Sequence, residues 1–168
     1  VFGSADWLWK VDQGTWYGWP DYADGRSLTM ARYDPLSGPK PEKILAEIPN
    51  QPPKPAAFFG VHSSSDGLAF STNPAFGYVG QAFVAQFGDM APVVGKVLNP
   101  VGFKVVRVDP ATGIMTTFAG NRGWPNGPAS KLKTSGLERP IDCKFDPKGE
   151  ALYVVDFGVL LIHDEKET

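Results

Sequence analysis

Apolar and polar residues alternate with a period of two along much of the chain, in short runs bounded by Gly, Pro, Asn or Asp. Such runs bury one face of each strand and leave the other to a neighbouring layer or to water. The clearest predict strands over Trp7–Val11, Lys43–Ile48, Gly67–Ser71, Gln81–Phe87, Phe103–Asp109, Ile114–Ala119, Ile141–Phe145, Ala151–Asp156 and Val159–His163. No segment longer than about ten residues keeps an amphipathic 3.6-residue period without a Gly or Pro interrupting it, so no long helix is expected. The fold class read from this pattern is all-β.

Two stretches repeat in form. Asp66–Ser71 leads through a turn to Gln81–Asp89, and Ile141–Gly149 leads to Ala151–Gly158. In each, a strand containing a late Phe precedes a more hydrophobic strand that runs into Phe-Gly. Two further strands follow the first pair, Lys104–Asp109 and Ile114–Ala119, joined by Pro110-Ala111-Thr112-Gly113. Four antiparallel strands in one unit form a blade, and blades stack radially because neither face of a lone four-stranded sheet can stay wet. The organisation expected is a partial β-propeller of two to three blades: residues 1–48 the end of one blade, 49–61 a Pro-rich crossover, 62–120 a full blade and 121–168 an incomplete one. Pro49–Pro55 reads as a stiff extended crossover, or as a linker.

Composition agrees, with 19 Gly, 16 Pro, 11 Phe, 5 Tyr and 5 Trp in 168 residues. The 16 basic and 18 acidic residues give a net charge of −2 and form no basic face, which argues against nucleic acid as a partner. The lone cysteine, Cys143, sits in an apolar alternating run and reads as a small buried side chain. No apolar run reaches the roughly 20 residues of a membrane span. Val1-Phe2-Gly3-Ser4 leads straight into Asp6–Val11 without a polar lead, so residue 1 is read as lying inside a longer polypeptide.

Five segments occur in an order that resembles the glucose/sorbosone dehydrogenase family: Trp16–Tyr22, His62–Phe70, Gly80–Gly88, Gly102–Val108, and Glu138–Pro140 followed by Leu152–Asp156. The resemblance implies a six-bladed propeller with pyrroloquinoline quinone (PQQ) at the channel mouth, calcium bridging it to the protein, sugar or aldehyde substrates, and a periplasmic or extracellular location. It also implies that the catalytic histidine belongs to an early blade preceding Val1, and that much of the calcium loop lies just upstream of the region around Trp7, so neither His62 nor His163 inherits the base role. A base near neutrality must reach the reacting hydroxyl beside a cofactor able to accept hydride.

The same resemblance places Arg139 against the quinone's carboxylates, which a guanidinium fork suits. The alternative is a salt bridge to Glu138 or Asp142. Asp142 either orients that arginine or caps a turn. His62 and Ser63, opening the run His62-Ser63-Ser64-Ser65, either offer hydrogen bonds at the channel mouth or satisfy a turn's own backbone. Asp89 either lines the pocket or stops a strand. Met90–Val101 reads as a long hydrophobic insertion whose Lys96 faces the cofactor or water. Trp16, Trp19 and Trp124 suit sugar stacking or core packing. Metal ligands are not assignable from spacing. The alternative to an enzyme is a non-catalytic propeller, a binding module or subunit of a larger assembly. Two to three blades expose two large apolar faces, so the remaining blades, a second copy or a larger assembly must cover them.

Overall fold

The computed structural model describes residues 5–23, 25–90, 97–123 and 126–160. Its elements are β1 (Ala5–Leu8), β2 (Tyr22–Ala23), β3 (Arg26–Ser27), a 3-10 turn (Ala31–Tyr33), β4 (Ala57–Val61), β5 (Ser65–Phe70), β6 (Ala82–Gln86), β7 (Lys104–Val108), β8 (Met115–Gly120), a short α-helical turn α1 (Ala129–Leu132), β9 (Pro140–Phe145) and β10 (Leu152–Asp156). The chain is all-β, built from small antiparallel sheets. Among the described residues no helix is long and apolar enough to cross a membrane.

The centre is a four-stranded meander in the order β5-β6-β7-β8, flanked by the pairs β1-β4 and β9-β10. Period two sorts the central side chains to opposite faces. Ala82, Val84, Val106 and Val108 meet Leu8, Ala57 and Phe59 of the β1-β4 pair. Phe83 and Val105 meet Cys143, Phe145, Leu152 and Val154 of the β9-β10 pair. With both faces covered, all five residues of β6 are buried, and each large apolar side chain so removed from water contributes about 1.5–3 kcal/mol.

The β7-β8 and β9-β10 turns share one chemistry. Asp109 accepts the amide of Ala111 at 2.9 Å, and Gly113 supplies the positive φ of 73° that closes the turn. Asp146 accepts the amides of Glu150 and Ala151 at 2.6 and 2.9 Å. These bonds, the one from Ala151 first, hold its carboxyl below the usual range.

Three strand expectations change. Lys43–Ile48 forms no strand, because the amides of Ile44 and Leu45 donate to the buried carboxylate of Asp21, at 2.6 and 2.8 Å, instead of to a ladder. The strand after that region is β4, where Ala57 and Phe59 are buried while Phe58 between them is exposed. β1 stops at Leu8 rather than Val11, and Val159 and Leu160 are not in a strand, the rest of Val159–His163 lying outside the described residues. Asp21→Ala strands two amides and removes two charge-assisted bonds, so a loss of about 2–3 kcal/mol is expected in urea denaturation.

Cys143 is fully buried, its thiol against the carbonyl oxygens of Phe83 at 3.2 Å and Gly67 at 3.8 Å. Burial, with the charge of Asp142 next, pushes the thiol up to about 11. The fold thus favours the neutral thiol. This contribution is complete below the unfolded thiol's ordinary value and is lost as pH rises toward 11. Alkylation of native protein at pH 8 is expected to track global unfolding, and fast labelling without unfolding would contradict that burial.

Candidate functional site

The ends of β4, β6 and β10 and the starts of β1, β5, β7 and β9 converge at one end of the stack. Four of the five residues singled out by sequence, His62, Ser63, Asp89 and Arg139, lie there. Asp142 stands farther along β9, where Oδ1 accepts the amide of Cys143 at 2.8 Å and pairs with Lys144 at 3.4 Å. It makes no bond to Arg139 among the described residues.

His62 and Ser64 carry the β4-β5 turn at positive φ, 66° and 47°. Between them Ser63 is fully buried, and its hydroxyl donates to Asp6 Oδ2 at 3.0 Å. The same oxygen accepts the amide of Ser65 at 2.7 Å, and Gln86 Nε2 donates to the Ser65 hydroxyl at 3.1 Å. The serines are therefore bound into a network joining β1, β5 and β6. Burial, and then the charge of Asp6, raises the Asp66 carboxyl above its ordinary value.

Asp89 is buried and clasps Val101 twice, donating its amide to the Val101 carbonyl at 2.9 Å and accepting the Val101 amide on Oδ2 at 2.7 Å. It closes the base of the β6-β7 insertion, whose residues 91–96, Lys96 included, lie outside the described residues.

Arg139 is set just before β9. Asp156 fixes its backbone by accepting the amides of Glu138 at 2.8 Å, Arg139 at 3.0 Å and Gly158 at 2.8 Å. The guanidinium lies over the rings of Phe87 and Phe103, 4.7 and 5.0 Å from their centroids. Nη1 donates to the carbonyls of Phe87, Gly88 and Asp89 at 3.4, 3.4 and 3.1 Å. Desolvation lowers its pKa from the ordinary value, while the charges of Asp89 and Glu138 oppose that shift. Glu138 itself is bonded to the amide and hydroxyl of Ser130. Among the described residues, every hydrogen bond of the guanidinium runs through Nη1, so the Nε and Nη2 edge makes none. That edge is a two-donor fork suited to a carboxylate.

Sequence reasoning passed over Asp6, Gln86 and Asp156. Only Asp156 left a signal: Val155-Asp156-Phe157-Gly158 echoes Phe87-Gly88-Asp89, an acid beside Phe-Gly at the end of a strand. Trp16 and Trp19 stand apart from this end, Trp16 Nε1 donating to the Trp19 carbonyl and Trp19 lying exposed. Trp124 lies outside the described residues. Among the described residues no group of three or more His, Cys, Asp or Glu side chains could hold a metal ion. In comparison with known proteins, the chain matches no family model, no curated protein and no solved structure.

Proposed function

We propose that the chain is a segment of a β-propeller of the glucose/sorbosone dehydrogenase kind, whose Arg139 rim forms one wall of a pocket for an anionic quinone. The observation that carries this reading is the seat of Arg139, held by Nη1 and two rings while its Nε and Nη2 edge makes no bond among the described residues. A pre-oriented guanidinium loses little freedom when a planar carboxylate docks. The stacking of a four-stranded sheet between two flanking pairs supports the propeller reading, since this is how neighbouring blades cover one another.

Bound there, PQQ would supply the two-electron acceptor for oxidation of a sugar or aldehyde, in a periplasmic or extracellular protein. This chain's own part is to bind and orient. Arg139 holds a carboxylate, Asp156 and the three carbonyls hold Arg139, and the Asp6-Ser63-Ser65-Gln86 network keeps the adjoining β4-β5 turn in place. No catalytic base is assigned within the chain. Nor is a calcium ligand, because the described residues supply no cluster for one.

The test is an absorbance titration of the chain with PQQ. Arg139→Gln removes a charge-assisted bidentate contact and is expected to weaken binding about tenfold or more, with the circular dichroism spectrum retained. The competing reading is a non-catalytic propeller in which Arg139 is purely a seam between sheets, which its three carbonyl bonds and two ring contacts favour. In that case Arg139→Gln lowers stability and leaves quinone affinity untouched.

A further inference from the structure

Outside the rim, the chain builds a second recess. β1 turns Leu8 into the core and leaves Trp7 and Trp9 on its other side, where they stack at 5.3 Å with planes 24° apart. Tyr17 meets Trp9 edge-on at 5.0 Å, and its hydroxyl is locked by the amide of Asp12 and the carbonyl of Lys10 at 2.7 and 2.9 Å. These three rings and Tyr22 line a cleft of about 320 Å³ between β1 and the β2-β3 hairpin. Gly25 forms part of its wall at φ +66°, where a Cβ would come within 3.2 Å of the Trp7 ring. The volume is at the lower end for small-molecule sites, which suits one ring-sized ligand.

Two features select its chemistry. None of the described residues lining the cleft carries a charge. In addition, the Tyr22 hydroxyl makes no hydrogen bond among the described residues. A ligand suited to this lining therefore brings an oxygen acceptor for that hydroxyl together with a C–H face for the aromatic rings. A quaternary ammonium satisfies the rings and not the hydroxyl.

We propose that this cleft is a subsite for a single neutral sugar ring. It shares no residue with the Arg139 rim, so quinone binding and sugar binding succeed or fail separately. The probe is D-glucose, titrated into the chain while tryptophan fluorescence and the indole N–H resonances are followed. A saturable response is expected in which the Trp7 and Trp9 resonances move, and Trp9→Ala should weaken it about fivefold to tenfold. Tyr22→Phe, which keeps the ring, should weaken it less and guards against a Trp9 variant that does not fold. No saturable response overturns the proposal. So do shifts confined to the other tryptophans, an affinity unchanged in Trp9→Ala and Tyr22→Phe, or saturation by tetramethylammonium with no response to glucose.

Discussion

Replacing Phe83 by alanine is expected to lower the stability of the fold by about 3–5 kcal/mol, the range for deleting a buried aromatic from a close-packed core. The side chain is fully buried on the β9-β10 side of the central sheet. Its ring lies edge-to-face with Phe118 at 4.8 Å, Phe145 at 5.4 Å and Phe76 at 5.7 Å, thereby joining β8, β9 and the β5-β6 loop to β6. Geometry of this kind adds to simple area burial. The backbone on either side is held by ladder bonds to β5 and β7, so the site has little room to collapse around the lost volume. Guanidinium denaturation measures the loss, and a value below about 1 kcal/mol would mean that the β9-β10 pair does not cover this face.

Gly67→Ala should also be strongly damaging, at about 2–3 kcal/mol for overpacking against a backbone. A Cβ at Gly67 would collide with Asp142 Oδ1 and lie 2.7 Å from Asp142 Cα. The carboxylate can swing aside, whereas the Cα cannot move without shifting β9 off β5. Since Cys143 is the next residue and its thiol touches the Gly67 carbonyl, the displacement has its own reporter. Thermal denaturation should show the loss, and alkylation of Cys143 should accelerate in the folded variant. Wild-type stability and thiol protection together would show that β9 does not cross β5 closely at Gly67.

These two sites also show what was legible in the sequence. The apolar runs Gln81–Phe87 and Phe103–Asp109 marked the two middle strands, because residues buried on both faces leave a nearly continuous apolar run. The turns Pro110–Gly113 and Asp146–Gly149 were legible for a local reason, a carboxylate beside a glycine that accepts positive φ. Lys43–Ile48 alternates equally well, but the partner of its amides is Asp21, more than twenty residues away, and no local pattern encodes that. β4 was missed because Pro52, Pro53 and Pro55 precede it and Gly60 interrupts its apolar run.

At the rim, Arg139 and Asp89 drew notice through the family resemblance, each standing where a strand begins or ends. What each does depends on the third dimension. The three carbonyls receiving Nη1 come from the β6-β7 loop some fifty residues away, and Asp6 reaches Ser63 and Ser65 across nearly sixty. Both contacts depend on the stacking of sheets and on nothing in the neighbouring sequence.

The most direct test of the account is a crystal structure of the chain with PQQ. The expected result is a quinone carboxylate on the Nε and Nη2 edge of Arg139, with Nη1 still on the carbonyls of Phe87, Gly88 and Asp89. Quinone bound elsewhere, or Arg139 with that edge satisfied by protein and no quinone at the rim, would contradict it.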